Sequence, residues 1–503
     1  MRSKKAFRNF LASIVELIVV TLTSFVVPHY IIRAYGSSVN GLVSSITQFL
    51  SYIALIESGI GAIGRASLYK PLALGDIELL SGNAKALENF YRRVSYIFLA
   101  YVAVLAVLFP ILVNQEFDWA YTASLVVILA FSTFIQYYYG ITHQTVIAAD
   151  QRKYISSLLQ SLMLLLNMVI TVVLIKMGAG IHVVKTGSAA AFAVRPIFLY
   201  IYVTRHYNLD KKARPRNEIL SQRWDGLAQH IAFFIHKNTD IAVLTVLANV
   251  REVSVYSVYM LAVAGCSKVV NIFSSSLEPA FGNMIAKGEK ETLKKRLSLC
   301  STLTIQVAIT LFSTAAIVIS PFIKLYTHGI TDVNYLRPMF GLIMLIAEAF
   351  YCIRLPYQAA VYAAGHFRQT RNGAIIEAVM NIGISIILVF HYGLIGVAIG
   401  TLVSMLFRTI QYIWYYHRNL LQETEGLKEE ARRAVISLLE IAVIILIFGH
   451  IPEVSSSGYI IWFLSSCMVG IGCSLIVGAF SAVFYKNECR EVLRFSKRLI
   501  GRS

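Results

Sequence analysis

Ionisable side chains inside long apolar runs are the residues of this sequence whose type and spacing point most directly to chemistry. The densest group is His236-Lys237-Asn238-Thr239-Asp240, in which Lys237 and Asp240 are three residues apart. On a helix, that spacing puts both side chains on one face, where they can pair. A charge inside a bilayer costs roughly 3 kcal/mol, so each one needs a role. The pair is either a neutral structural ion pair or part of a substrate or ion-coupling site, and both interpretations stay open.

Three arginines in apolar runs are further candidates for contact with an anion. Arg195 and Arg408 lie toward the cytoplasmic ends of predicted helices, where they face a central cavity or extend to the inner headgroups. Arg354 is farther from the cytoplasmic end. Guanidinium groups match phosphate oxygens, so a cation-bearing interior favours an anionic guest such as a lipid-linked pyrophosphate. The candidate substrate-binding cations are therefore Arg195, Arg408, Lys237 and Arg354.

Asp240 and Glu57 are the acidic candidates for ion coupling or gating. Glu57 begins the stretch Glu57-Ser58-Gly59-Ile60-Gly61, whose small residues permit close helix packing. A carboxylate there either carries a proton or pairs with a neighbouring helix. No Cys/His cluster has metal-ligand spacing, and no Gly-rich loop with Lys of the ATPase type occurs. With only short loops between apolar runs, the sequence predicts no metal, no cofactor and no enzymatic activity.

Membrane-spanning helices must position these side chains. Of 503 residues, 57% are hydrophobic and only 14% charged, against roughly 25% charged in soluble domains. Runs long enough to span a bilayer must be helical, because lipid satisfies no backbone hydrogen bonds. The predicted helices are 9–32, 40–66, 94–113, 119–148, 154–176, 181–204, 226–249, 253–285, 299–326, 338–363, 373–391, 393–416, 434–451 and 458–484.

The basic residues are distributed unevenly between alternate loops. With the amino terminus inside, 33 of the 45 Lys and Arg residues fall in inner segments and four in outer ones. This positive-inside pattern places both termini in the cytoplasm. It also explains the net charge of +18 without nucleic acid as a partner. The six cysteines form no pair in an outer loop, so we expect no disulfide framework.

The two halves of the chain match in register. The matching pairs are Gln144 and Gln358, Asn167 and Asn381, Gly187 and Gly400, and Arg195 and Arg408. In each half, 23 residues separate the Gln from the Asn and eight separate the Gly from the Arg. Because six helices per half is an even number, both halves have the same orientation. They are then related by an axis along the membrane normal, with a central cavity between them, as in transporters.

The predicted fold is an all-α integral membrane protein with about 14 transmembrane helices, arranged as two six-helix lobes plus two C-terminal helices. The predicted segments are a first lobe (1–204), a basic cytoplasmic linker (205–225), a second lobe (226–416), a cytoplasmic loop (417–433), helices 13 and 14 (434–484) and a basic cytoplasmic tail (485–503). The tail combines cations with apolar residues, so we expect it to lie on anionic membrane lipids.

Three stretches carry a resemblance to a known family. They are 238–244 (Asn-Thr-Asp-Ile-Ala-Val-Leu), 250–259 (Val-Arg-Glu-Val-Ser-Val-Tyr-Ser-Val-Tyr) and 35–42 (Tyr-Gly-Ser-Ser-Val-Asn-Gly-Leu). The chain resembles the Wzx-like polysaccharide and lipopolysaccharide flippases of the MOP superfamily, which also contains MATE transporters and the lipid II flippase. The first two stretches are similar to the helix 7–8 signature of these flippases, and the third is similar to their helix 1–2 turn.

The resemblance implies movement of undecaprenyl-pyrophosphate-linked oligosaccharide units from the inner to the outer leaflet of a bacterial cytoplasmic membrane. It implies two lobes that rock around a basic cavity, driven by a proton or sodium gradient or by the membrane potential. The chain lacks the dense arginine set of the lipid II flippase, which favours a capsule or O-antigen unit as cargo. A polysaccharide polymerase with its chain-length machinery is a candidate partner.

Three other functions remain as alternatives. A MATE-like exporter of small cations would need a cavity rich in acidic groups, whereas the spans here carry at least as many basic groups. A major-facilitator transporter usually has a Gly-Asp-Arg-Gly-Arg-like motif after its second helix, and residues 74–78 (Leu-Gly-Asp-Ile-Glu) do not match it. A scaffold without transport activity would not explain the repeat or the buried charges. The MATE-like exporter is the main alternative.

Overall fold

A computed structural model describes residues 2–57, 60–113, 116–210, 212–216, 238–274, 277–423, 425–449, 458–491 and 494, and this part of the chain is helical without strands. The helices are α1 (Arg2–Ser51), α2 (Ala54–Glu57), α3 (Ile60–Leu74), α4 (Ile77–Leu112), α5 (Trp119–Ile135), α6 (Ile141–Ala149), α7 (Lys153–Lys176), α8 (Ile181–His206), α9 (Asn238–Leu247), α10 (Val250–Ser274), α11 (Leu277–Ala286), α12 (Lys290–Tyr326), α13 (Pro338–Ala363), α14 (Phe367–Tyr392), α15 (Leu394–Tyr415), α16 (Glu425–Phe448) and α17 (Tyr459–Phe484).

The all-α membrane fold predicted from the sequence is confirmed. Eleven helices in the described ranges are long and apolar enough to cross a membrane. Thirteen of the fourteen predicted spans overlap described helices, and α1 contains both the first span and the start of the second. Of the seventh span, residues 238–249 are described, and Asn238–Leu247 is helical. Large apolar side chains remain exposed along many helices, as a lipid-facing surface requires; Ile460, Met468 and Leu475 on α17 are examples.

Helix ends differ from the prediction where charged residues extend a helix beyond its apolar run. α4 begins at Ile77 rather than near residue 94, and the Asp76 side chain caps it by accepting a hydrogen bond from Leu79 N at 2.9 Å. The predicted helix 40–66 is interrupted at residues 52–53, between α1 and α2. The predicted helix 253–285 corresponds to α10 and α11, and residues 275–276 between them lie outside the described ones. Hydropathy does not reveal the break at 52–53, because this segment remains apolar.

Two glycines divide helices that follow each other without a loop. Gly36 has φ +85° and ψ 171° inside α1, a conformation open essentially to glycine alone, so α1 changes direction there. It lies in the 35–42 stretch, where the sequence predicted a turn. Gly393, with φ +54°, separates α14 from α15, as the predicted division near residue 393 required.

The described residues form two compact units, 1–255 and 256–503. In the first unit, α1 packs on α7, α7 on α8, and α5 on α4 and α8. A carbonyl contact adds to the apolar packing, because the Tyr35 hydroxyl donates to the Ala179 carbonyl at 2.5 Å. Close approach also occurs at Gly41, where an added Cβ would lie 1.6 Å from the Val250 carbonyl oxygen. The backbone of α1 therefore lies against that of α10.

In the second unit, α15 packs on α13 and α14, while α16 and α17 both pack on α12. Polar contacts join α16 to α12: Arg433 donates to Ser301 Oγ at 2.8 Å, and Gln306 donates to Glu440 at 3.1 Å. The Trp462 indole donates to the Val318 carbonyl at 3.2 Å and joins α17 to α12. The two C-terminal helices are thus attached to the first long helix of this unit.

Candidate functional site

Arg195 on α8 is held by neutral side chains only. Its guanidinium donates to Ser156 Oγ at 2.9 Å, to Gln144 Oε1 at 3.1 Å and to Gln136 Oε1 at 3.5 Å. Glu16 on α1 is the acidic group whose charge reaches it, and the two form no ion pair. Its Nε has no hydrogen-bond partner among the described residues. The first unit therefore contains a half-buried guanidinium with its charge uncompensated by direct contact.

The π-helical turn Gln136–Gly140, between α5 and α6, supplies one partner of Arg195. Such turns in the middle of a transmembrane helix widen the backbone and are frequent at functional sites. An added Cβ at Gly140 would lie 2.8 Å from Gln136 Oε1 and 2.8 Å from Pro196 Cβ. Glycine at this position therefore allows α8 to approach the turn.

In the second unit, Arg354 and Arg408 share one carboxylate. Arg354 Nη1 donates to Glu377 Oε1 at 2.6 Å, and Arg408 Nε lies 3.3 Å from Glu377 Oε2. All three side chains are almost fully buried, with 2 to 6% of each exposed. Arg408 also donates to the Tyr412 hydroxyl at 2.8 Å and stacks over its ring. Taken by themselves, these two guanidinium groups and one carboxylate carry a formal charge of +1.

The internal register relates the two arginine sites and shows how they differ. Arg354 precedes Gln358 by four residues, and the residue four before Gln144 is Gly140. Glu377 precedes Asn381 by four, whereas Met163 precedes Asn167 by four. The repeated arginine is thus ion-paired in the second unit and has neutral partners in the first.

Gly187 and Gly400, another matching pair, both lie where consecutive helices touch. A Cβ at Gly187 would meet Ile170 at 2.9 Å, on the neighbouring α7. A Cβ at Gly400 would meet Ser385 Oγ at 2.2 Å, on the neighbouring α14.

Glu57, the predicted coupling carboxylate, lies at the end of α2 and accepts a hydrogen bond from the Tyr137 hydroxyl at 2.8 Å. Tyr137 belongs to the same π-helical turn as Gln136. Ser58 and Gly59, which follow Glu57 in the sequence motif, lie outside the described residues. The carboxylate is therefore positioned by a neutral donor.

Asp240 lies near the start of α9 and is 6% exposed. The end of α1 lies beside this start, because Gln48 donates to Asn238 Oδ1 at 2.8 Å and the Tyr52 hydroxyl donates to the Asn238 carbonyl at 3.0 Å. Lys237 lies outside the described residues, and so does its predicted pairing with Asp240. Residues 211 and 217–225 of the basic linker and residues 492, 493 and 495–503 of the basic tail lie outside them as well.

A polar cluster at the cytoplasmic end predicted for the first unit connects the amino terminus to two helix ends. The Asp150 carboxylate lies 2.9 Å from Lys5 Nζ and 2.7 Å from Arg152 Nε, and it accepts a hydrogen bond from the Tyr207 hydroxyl at 2.8 Å. Burial, and then the hydrogen bond and charge of Asp150, raise the pKa of Tyr207. The phenol therefore remains neutral and keeps donating to Asp150.

Two functional candidates were not identified from the sequence. Glu377 was one acidic residue among several, and its spacing gives no sign that it bridges two arginines on other helices. Lys185 lies near the outer end of its predicted span, a position from which a long side chain can extend to the outer surface, but it is only 9% exposed and lines a cavity. The proximity of Gln136 to Arg195 likewise depends on the packing of α8 against the π-helical turn. Among the described residues, no group of three or more His, Cys, Asp or Glu could hold a metal ion.

A similar arrangement of helices occurs in solved structures of other proteins. The chain is similar to the lipid II flippase MurJ in an inward closed conformation, with a TM-score of 0.69 and 17% sequence identity, over 95% of this chain and 99% of that one. It is also similar to a multidrug resistance MATE family transporter of the MOP superfamily in an inward-facing conformation, with a TM-score of 0.57 and 15% identity, over 82% of this chain and 95% of that one. The outward-facing conformation of such a transporter gives a TM-score of 0.54 at 14% identity, over 84% and 97%.

These likenesses define the class of fold, a multi-pass all-α membrane protein of the architecture shared by MurJ and MATE transporters. At such low identity they establish the fold alone. No family model matches the sequence, and the comparison with curated proteins finds no match.

Proposed function

We propose that this protein is a flippase that moves undecaprenyl-pyrophosphate-linked oligosaccharide units from the cytoplasmic to the outer leaflet of a bacterial cytoplasmic membrane, for the assembly of a surface polysaccharide. The observation that carries the proposal is Arg195, a half-buried guanidinium that has only neutral side chains as direct partners. A positive group inside an apolar fold is retained at a cost in free energy. A pyrophosphate provides the missing counter-charge with matching oxygen geometry.

The second unit supports the same cargo in a different way. Arg354 and Arg408 share the carboxylate of Glu377, so a phosphate oxygen can replace that carboxylate on one of them without creating an unpaired guanidinium. Alternating access then needs a coupling group, and Glu57 and Asp240 are the proposed ones, with a proton or sodium gradient or the membrane potential as the driving force. Anionic lipids at the basic linker and tail, and a polysaccharide polymerase, are proposed partners.

Transport in proteoliposomes tests this function. The cargo is a fluorescent polyprenyl-pyrophosphate disaccharide, and its arrival in the opposite leaflet is measured by quenching with a membrane-impermeant reductant. Arg195→Gln is expected to slow transport by about tenfold or more, because it removes charge-assisted contacts with the pyrophosphate. Arg205→Gln is the matched control, since Arg205 is an exposed arginine on the same helix.

The alternative is a MATE-like exporter of small molecules, which the likeness to MATE transporters supports. The same vesicles distinguish the two. If wild type moves no lipid-linked sugar but extrudes a fluorescent organic cation under an ion gradient, the flippase proposal is wrong and the exporter is correct. If lipid-linked sugar moves equally fast in Arg195→Gln, the flippase remains but Arg195 does not bind its pyrophosphate.

A further inference from the structure

The first unit contains a cavity of about 430 Å³ between α1, α5, α7 and α8. This volume is within the range of about 300–1,000 Å³ that is typical of sites for small ligands. Part of the wall is polar: it includes the hydroxyl groups of Thr47, Ser132, Thr133 and Ser188 and the amide of Asn167. Hydroxyl and amide groups at spaced positions on an otherwise apolar wall suit a sugar ring, which has hydroxyl groups at its edge and an apolar face.

Lys185 is the charged residue in the described wall of this cavity. It is 9% exposed, and its ammonium has no hydrogen-bond or ion-pair partner within the described part of the chain. Glu57 forms no ion pair with it in the described part of the chain, and its carboxylate accepts a hydrogen bond from the Tyr137 hydroxyl at 2.8 Å. A buried ammonium without a counter-ion destabilises the fold that contains it, so it calls for a ligand that supplies the negative charge.

Asn167 provides a second, independent indication at the same cavity. It is 8% exposed, and its Oδ1 has no hydrogen-bond partner in the described residues. A side-chain amide has a donor end and an acceptor end. The unsatisfied atom is the acceptor end, so Asn167 Oδ1 can accept a hydrogen bond from a sugar hydroxyl, and that contact would satisfy a buried polar atom that the described residues leave unsatisfied.

We propose that this cavity binds an anionic sugar unit of the cargo, with Lys185 as the counter-charge of its anionic oxygen group and Asn167 Oδ1 as the acceptor for a neighbouring sugar hydroxyl. The proposal rests on the flippase function and adds a specificity site to it. Two parts of a glycan lipid have the required chemistry: a carboxylate on a sugar, as in a uronic acid, and a phosphate. The ammonium is a compact point charge that accepts either one.

Binding of soluble probes by the purified protein in nanodiscs separates these two sources. The probes are methyl glucuronide, its neutral counterpart methyl glucoside, and inorganic pyrophosphate, measured by isothermal titration calorimetry. If the source is a carboxylate, wild type binds the glucuronide about tenfold more tightly than the glucoside, the equivalent of one charge-assisted hydrogen bond. If the source is a phosphate, the probe whose binding depends on Lys185 is pyrophosphate, and the glucuronide binds no more tightly than the glucoside.

Three variants show whether Lys185 is responsible. Lys185→Gln is expected to abolish the preference for the charged probe, and Lys185→Arg to retain most of it. Lys176→Gln removes an exposed charge from the neighbouring α7 and should leave all affinities unchanged. The proposal is overturned if wild type binds none of the probes, or if Lys185→Gln binds the charged probes as wild type does.

Stability and transport provide readouts that do not depend on soluble probes. Without ligand, Lys185→Gln is expected to unfold at the same temperature as wild type or a higher one, because it removes an uncompensated buried charge. A clear decrease in unfolding temperature would mean that Lys185 serves the fold rather than a ligand. In flipping assays, Lys185→Gln should slow acidic or phosphate-bearing cargo selectively. Equal rates in both proteins would refute the specificity site alone, whereas no transport by wild type would refute the flippase function itself.

Discussion

Arg354 donates a hydrogen bond to Glu377 across 2.6 Å in the interior of the second unit, joining α13 to α14. Arg408 on α15 approaches the other oxygen of the same carboxylate at 3.3 Å. One acidic side chain therefore connects three consecutive helices and compensates one of the two positive charges beside it.

Replacement of Glu377 by Gln is expected to destabilise the protein by about 3–5 kcal/mol, because it leaves two buried guanidinium groups without a counter-ion. Thermal unfolding in nanodiscs, followed by circular dichroism, measures the loss. Glu278→Gln is the control, since it removes an exposed carboxylate from the same unit. Equal unfolding temperatures for Glu377→Gln and Glu278→Gln would show that the two arginines do not depend on this carboxylate.

Replacement of Arg195 by Gln should have a much smaller effect on stability, about 1 kcal/mol, because the guanidinium has neutral hydrogen-bond partners and no ion pair. The same unfolding measurement, with Glu377→Gln alongside, provides the comparison. A loss as large as that of Glu377→Gln would indicate that Arg195 is a structural residue. The expected combination, stable but slow in transport, is the behaviour of a cargo-binding group.

Substitution of Gly41 by Ala tests the close approach of α1 to α10. The added Cβ would overlap the Val250 carbonyl oxygen at 1.6 Å, and backbone must move to relieve the contact. We expect a loss of about 3 kcal/mol or more. Gly265→Ala on α10 meets no atom within 4 Å and should be neutral or slightly stabilising, since alanine favours helix. The unfolding temperatures of both variants, each compared with that of wild type, check the prediction. Equal shifts for Gly41→Ala and Gly265→Ala would contradict it.

Glu57 and Tyr137 allow the coupling role to be separated from a structural one. Glu57→Gln removes the ionisable group, whereas Tyr137→Phe removes its hydrogen-bond donor and keeps the carboxylate. If Glu57 carries the coupling ion, Glu57→Gln should transport cargo at the rate seen without an ion gradient, and Tyr137→Phe should still respond to the gradient. Flipping rates in vesicles with and without an imposed gradient give the answer. A Glu57→Gln variant that responds fully to the gradient would show that Glu57 does not carry the coupling ion, and Asp240 would remain as the candidate.

The sequence predicted the fold well because hydropathy is a local property. Apolar runs located the spans, and glycine marked the divisions at Gly36 and Gly393. The predicted helix ends were less accurate where polar residues extend a helix beyond its apolar run, as at the start of α4. Hydropathy marks only the apolar part of such a helix, and its first residue is recognised only from the capping residue. The internal repeat, which is visible in the sequence, also pairs Arg195 with Arg408.

The sequence by itself determined that the chain is a helical membrane protein, where its helices run and which ionisable residues lie inside them. It could do so because a bilayer imposes length and polarity on every span separately. Only the tertiary structure decided what those residues meet: Glu377 between two arginines, Arg195 among neutral partners, and Lys185 in a cavity rather than at the surface. The physical reason is that these partners lie on different helices, and helix rotation and packing, which pattern and spacing do not encode, bring them together.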